Sequence, residues 1–179
     1  MFPIALDLKK ISILLIGKGE ALERRHKQLL EYGATNISIC HTSEGWYLDP
    51  KNMDASLRWH DNNIIMVCGL SREQSKQISD AARAAGKLVN VEDINELCDF
   101  YFTANIKRGD LVISVSTGGA SPTLSRRIRD YIAGKFGAEW AGHTKEIAEF
   151  RNGLKKQGKT IPQVLEDSDI FLQEKGWLK

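Results

Sequence analysis

The sequence predicts an α/β fold: an open parallel sheet with helices on both faces, followed by a hairpin and a small C-terminal helical segment. Three observations predict it. Ile11 to Ile16 and Asn63 to Cys68 are apolar runs of strand length, which suits strands buried on both faces. Helical patterns follow such runs at short spacing, so the chain must return by right-handed crossovers. Beyond residue 100 that rhythm stops, and two apolar segments flank Lys107-Arg108-Gly109.

Taken in order, Ile11 to Ile16 is the first strand, ended by Gly17-Lys18-Gly19. Glu20 to Tyr32 is a helix, with Leu22, Leu29 and Leu30 on one stripe, and Gly33 ends it. Asn36 to Cys40 is a second strand in which Ile37 and Ile39 alternate with polar neighbours. His41 to Leu57 is less regular and ends in a short helix. Asn63 to Cys68 is the third strand, Arg72 to Ala85 a helix stopped by Gly86, and Leu88 to Val91 a fourth strand. Phe100 to Ile106 and Asp110 to Ser116 read as an antiparallel hairpin. The glycine-rich Ser116-Thr117-Gly118-Gly119-Ala120-Ser121-Pro122 then leads into a helix carrying Arg126, Arg127 and Arg129. From Gly137 onward the pattern is helical pieces broken by Gly and Pro162. The expected organisation is 1–99 as a nucleotide-type domain, 100–136 as a pairing and helical segment, and 137–179 as the helical remainder.

The 179 residues suffice for one core and an appendage, and 42% hydrophobic with 27% charged residues is ordinary for a globular protein. A net charge of +2 gives no electrostatic case for nucleic acid. No apolar run approaches the ~18–20 residues of a spanning helix, and the first residues lack a basic, then apolar, leader pattern. The expectation is a cytoplasmic protein without a membrane partner. Cys40, Cys68 and Cys98 stand far apart and form neither a disulfide framework nor a zinc site, so they read as small buried hydrophobes. The histidines, among them His26, His60 and His143, show no metal-ligand spacing and read as surface residues; no metal is expected. The scattered tryptophans read as packing.

Gly17-x-Gly19, directly after a buried strand and before a helix, is the context of a Rossmann-like dinucleotide site. The glycines let the backbone approach a pyrophosphate seated on the helix N-terminus. Two parts of that fingerprint are missing. Leu22 stands where Gly or Ala lets helix and strand pack closely, and Cys40-His41-Thr42-Ser43 carries no ribose-binding Asp or Glu. The hydroxyls of Thr42 and Ser43 can bond a ribose or phosphate, or can belong to an ordinary turn.

Several segments resemble the precorrin-2 dehydrogenase family of sirohaem synthesis. They are Phe2-Pro3-Ile4 with Leu6-Asp7-Leu8, the Gly17-x-Gly19-Glu20 turn followed by Arg24 and Arg25, and Leu29-Leu30-Glu31-x-Gly33-Ala34. The longest string runs Val89-Asn90-Val91-x-Asp93, Glu96 to Phe100, Arg108-Gly109-Asp110-Leu111, then Ser116-Thr117-Gly118-Gly119-x-Ser121-Pro122-x-Leu124-x-Arg126-Arg127-Ile128-Arg129. The similarity covers roughly residues 1–135 of the chain. It implies NAD-dependent oxidation of precorrin-2 to sirohydrochlorin, in some members with iron insertion, by a homodimer joined through the hairpin and the Arg-rich helix.

The resemblance also assigns residues. NAD would be held by Gly17, Gly19, Glu20, Ala21, Thr42, Ser43 and Gly69. Asp93 falls on the family's essential aspartate; the structural alternative is that it caps a short helix near Ile94. The tetrapyrrole would be bound by Asn105, Ser116, Thr117, Gly118, Gly119, Ser121 and Arg126, through backbone amides and a guanidinium suited to carboxylates. The enzymatic reading further requires the first glycine turn, Asp93 and the Gly118-Gly119 loop to share one crevice.

Departures from the family fall on the NAD side: Leu22, Cys68-Gly69 in place of Ala-Thr, and Ser75 in place of Asn. They motivate a second reading, a tetrapyrrole-binding or carrier protein derived from the enzyme. A third reading, a nucleotide-sensing module of transporters, lacks its acidic ribose ligand here.

Overall fold

A computed structural model describes residues 2–42 and 61–178. The chain divides into two compact units, Met1–Phe102 and Thr103–Lys179.

The first unit is a four-stranded parallel sheet built from β1 (Ser12–Gly17), β2 (Asn36–His41), β3 (Ile64–Cys68) and β4 (Leu88–Val91), in the order β2-β1-β3-β4. Helix α1 (Gly19–Glu31) covers one face and α2 (Arg72–Ala84) the other. Side chains alternate along a strand, so Ile13 and Leu15 pack with Leu22 and Leu29 of α1, while Leu14 and Ile16 pack with Ile78 and Ala82 of α2. Both faces of β1 and β3 are therefore buried, which is why their sequences are unbroken apolar runs. Each fully buried Leu or Ile contributes roughly 1.5–3 kcal/mol.

Turn chemistry fixes the helix ends. Gly33 and Gly86 take left-handed conformations just past α1 and α2, as their positions in the sequence require. Ser71 and Gln74 form a reciprocal capping box at the start of α2.

The outward edge of β4 is occupied by the chain that follows it. Val89 N–H donates to Asp99 Oδ2 at 2.9 Å, and Asp99 N–H donates back to Val89 O at 2.8 Å. Asn90 Nδ2 donates to Phe100 O at 2.9 Å. These bonds explain a difference from expectation. Phe100 to Thr103 is apolar enough to read as strand, yet Phe100 is tied to β4, and the hairpin strand begins only at Ala104.

The second unit opens with the hairpin β5 (Ala104–Arg108) and β6 (Leu111–Val115), paired antiparallel across Gly109. Helices α3 (Pro122–Ala133), α4 (Trp140–Lys156) and α5 (Ile161–Lys175) follow. Gly142 and Gly153 lie inside α4 without breaking it, and Pro162 sits in the first turn of α5, where its missing N–H costs nothing. Phe136, Trp140, His143, Phe150, Phe171 and Trp177 form a connected set of rings. His143 stacks on Trp177 with centroids 4.2 Å apart. It is thus a half-buried packing residue rather than the surface histidine its polar neighbours suggest.

Among the described residues no helix is long and apolar enough to cross a membrane, and no group of three His, Cys, Asp or Glu is arranged to hold a metal ion.

Candidate functional site

The sheet order creates the site. From β1 the chain passes to β2 on one side, and β3 and β4 lie on the other, so the connections after β1 and β3 diverge. In doubly wound sheets ligands bind in the crevice outside the strand ends at that reversal. Gly17, Gly19, Cys68 and Gly69 all lie there.

The two turns lock together through backbone. Lys18 N–H donates to Cys68 O at 3.3 Å, and a Cβ on Gly17 would stand 1.9 Å from that same oxygen. A Cβ on Gly69, whose φ is +67°, would stand 2.4 Å from Lys18 O. The family's threonine is therefore excluded at this position by close approach, and its hydroxyl is lost for a steric reason. Gly19, at φ +66°, has nothing within 4 Å of such a Cβ, so the turn is open on that side.

Leu22 does not enter the crevice. It is 2% exposed and packs with Ile13, Leu15, Leu29, Met66 and Cys68 in the core. Close approach is supplied by Gly17 and Gly69 instead. Ser75 of α2 is likewise fully buried. Lys18, at the N-terminus of α1, makes no side-chain cap, so the first-turn amides at Gly19, Glu20 and Ala21 have no capping side chain. Thr42 follows β2 with its N–H on Gly17 O at 2.9 Å; it is 7% exposed, and among the described residues its Oγ1 has no hydrogen-bond partner. Ser43 lies outside the described residues.

At the end of β4, Glu92 N–H donates to Val67 O at 2.9 Å, and the chain turns at Asp93 with φ +61°. Asp93 is the one non-glycine residue in a left-handed conformation among the described residues, and its side chain is exposed. The short 3₁₀ turn after it spans Asn95–Leu97 with Ile94 at its cap and no side-chain cap bond. The capping role considered for Asp93 is thereby overturned: the helical turn begins one residue too late for it.

Charged groups surround this corner. Arg24 of α1 forms an ion pair with Glu92 at 2.6 Å, and the Glu92 hydrogen bond and charge, with a smaller contribution from Asp93, raise the Arg24 pKa. Arg25 lies over the Phe102 ring at 3.8 Å and donates to Gln28 Oε1 at 2.7 Å; its Nε is buried without a partner. Burial, reinforced by the Glu92 charge, pushes the Cys68 thiol up to about 11. The two arginines that follow the glycine turn are thus committed within the unit.

The second unit carries the other glycine loop. Gly118 and Gly119 take φ +65° and +89° with open space where side chains would be. Thr117 Oγ1 accepts from Ser121 N–H at 3.0 Å and donates to Ser121 O at 3.1 Å, while Ser121 Oγ caps α3 by accepting from Leu124 N–H at 3.1 Å. Ser116 Oγ accepts from Gly118 N–H at 3.2 Å. These hydroxyls shape the loop, leaving its exposed glycine backbone and the exposed Arg126 to face outward. Asn105 Oδ1 accepts from Thr103 Oγ1, which also lies 2.6 Å from Ser114 Oγ.

Residues 4–104 match the model of a family described as putative NAD(P)-binding. The chain belongs to that family. Residues 108–135 match a second model, described as sirohaem biosynthesis protein central. A sirohaem synthase of Methylococcus capsulatus is 34% identical over 140 residues, covering 73% of this chain and 29% of that protein. One of Nitrosomonas eutropha is 26% identical over 165 residues, covering 87% of this chain and 35% of that protein. The chain thus spans about a third of these relatives' length. A solved precorrin-2 dehydrogenase, SirC, matches with a TM-score of 0.74 at 20% identity, over 100% of this chain and 93% of that one. The Rossmann-like α/β fold and the likeness to sirohaem-synthesis proteins are both borne out.

The NAD(P)-binding unit fits a nicotinamide dinucleotide on three structural grounds. The Gly17 and Gly19 turn is open, the amides of α1 lack a side-chain cap, and Thr42 Oγ1 is a buried hydroxyl in want of a partner. Glu20 and Ala21 would contribute backbone amides, with the Glu20 carboxylate exposed.

Proposed function

We propose that this protein oxidises precorrin-2 to sirohydrochlorin with NAD⁺ as acceptor. The observation that carries the reading is Asp93: an exposed carboxylate in a left-handed backbone conformation, at the same end of the sheet as the open glycine turn. Strained, exposed residues beside a cofactor crevice mark functional sites. The sirohaem synthase relatives supply the substrate class.

The oxidation removes one hydride and one proton from the tetrapyrrole. The dinucleotide, when bound, supplies the hydride acceptor. Asp93 accepts the proton. Gly19, Glu20 and Ala21 amides hold the pyrophosphate and Thr42 a ribose hydroxyl, with Ser43 and Gly69 completing the cofactor set. Backbone amides of Gly118 and Gly119, shaped by Ser116, Thr117 and Ser121, take the substrate's carboxylates with Arg126, and Asn105 is a further polar contact. Asp93 is also the candidate to receive iron in a subsequent insertion. NAD⁺ is favoured over NADP⁺ on the family resemblance, and cytoplasm is the proposed compartment. The functional partition is 1–99, 100–136 and 137–179.

Leu124, Ile128 and Tyr131 form an exposed stripe at helical spacing on α3, which supports a second copy of this chain as partner. The test of function is anaerobic turnover of precorrin-2 by the purified protein. Sirohydrochlorin should appear only with NAD⁺, with equimolar NADH. Absence of turnover with both dinucleotides would overturn the reading.

Cys68-Gly69 favours a second reading, a carrier that binds tetrapyrrole without oxidising it. That reading expects tetrapyrrole binding by absorbance titration and no heat of NAD⁺ binding by calorimetry.

A further inference from the structure

We propose that Cys98 is a positioning residue that holds Asp93 in its working conformation, an inference that rests on the reading of Asp93 as proton acceptor. Four contacts, from Asn90, Val91 and Ile94, converge on its sulfur. Val91 N–H donates to Sγ at 3.2 Å, the thiol has Val91 O at 3.1 Å and Ile94 O at 3.4 Å as acceptors, and Asn90 Nδ2 approaches at 3.5 Å. The two carbonyls bracket Glu92 and Asp93. One thiol proton serves one carbonyl at a time, so Sγ closes the base of the turn whichever it chooses.

The restraint is needed because of the backbone. A left-handed φ costs a residue with a Cβ, Asp less than most, so a turn that depends on it gains from surroundings that hold it in place. On the inner side Glu92 N–H is fixed to Val67 O; on the outer side Cys98 Sγ contacts Val91 just before the turn and, beside Leu97 N–H at 3.0 Å, Ile94 O just after it. Among the described residues β4 is the last strand of its sheet, and no strand lies beyond the outward N–H of Val91. The thiol is the partner that N–H would otherwise lack. Generic packing does not require a group that both donates and accepts; this position uses both.

The glycine turn is not part of this network, which allows a clean test. Cys98→Ala and Cys98→Ser are compared with wild type by steady-state kinetics, by NAD⁺ calorimetry, and by amide hydrogen exchange of the peptide spanning residues 91–95. Cys98→Ala should lose about tenfold or more in kcat, as displaced catalytic groups do, with NAD⁺ affinity within about twofold of wild type, and should exchange faster across 91–95. Cys98→Ser keeps a donor and an acceptor, so it should recover most of both losses. Unchanged exchange and kcat in Cys98→Ala, or equal damage in both variants, would overturn the proposal. An inactive Asp93→Asn beside a fully active Cys98→Ala rejects Cys98 alone. An active Asp93→Asn instead removes the reading of Asp93, whatever Cys98 does. The exchange measurement stands independently of turnover.

Discussion

Gly69 and Lys18 are packed so closely that the turn after β3 has no room for a side chain: a Cβ on Gly69 would lie 2.4 Å from Lys18 O. Gly69→Thr, which restores the family's residue, should therefore damage the protein. Backbone must move, and φ +67° adds about 1–2 kcal/mol for a residue with a Cβ. Scanning calorimetry should show the transition at least about 5 °C lower, with weaker NAD⁺ binding. A variant that melts like wild type and binds NAD⁺ better would show that this contact is dispensable.

Asp93 allows strain and chemistry to be separated. Asp93→Gly removes both the carboxylate and the penalty of φ +61°, so it should match or exceed wild-type stability by up to about 1 kcal/mol while losing precorrin-2 oxidation. Asp93→Asn keeps the backbone preference and loses only the proton acceptor. Urea unfolding run beside turnover assays checks both; residual activity near wild type in either variant argues against the carboxylate.

The Cys68 thiol sets an alkaline limit. Its ordinary value is near 9.0, and burial raises it to about 11, so between those values the unfolded chain releases a proton that the folded chain keeps. The contribution is fully present below pH 9 and declines as pH rises toward 11, by on the order of 2 kcal/mol. Urea unfolding at several pH values should show a steeper alkaline decline for wild type than for Cys68→Ala. Parallel curves would place the loss elsewhere.

The stripe on α3 bears on assembly. Ile128→Asp puts a charge among Leu124 and Tyr131 without touching the buried Ser125 face of the helix. Analytical ultracentrifugation should then show monomer where wild type sediments as a dimer, with helical content retained. If both variant and wild type are monomers, the stripe serves another purpose.

Much of the first unit was legible because burial on both faces writes itself as composition. Ile11 to Ile16 lies one residue from the observed Ser12–Gly17, and Leu88–Val91 coincides with β4. Phe100 to Thr103 reads as strand because aromatic character does not distinguish a strand from a segment whose start, Asp99 and Phe100, is tied to Val89 and Asn90 of β4. The fate of Leu22 was hidden for a related reason. A fingerprint records which residue usually permits close packing, and here Gly17 and Gly69 provide that contact. Asp93 is one of the few residue types that tolerate a left-handed turn, but that tolerance alone does not place one, and the sulfur that braces it comes from five residues downstream. His143 read as surface because its ring partner Trp177 is distant in sequence.

The bonds along β4 reach beyond the turn they support. Edge strands invite other chains to add themselves, yet the outward N–H and C=O of Val89 are taken by Asp99, Val91 N–H is taken by Cys98 Sγ, and Val91 O shares the thiol proton with Ile94 O. A neighbouring molecule offering a strand finds no open ladder here. The Asp99 carboxylate and backbone N–H, with the Cys98 thiol, thus cover this border where the described residues provide no fifth strand.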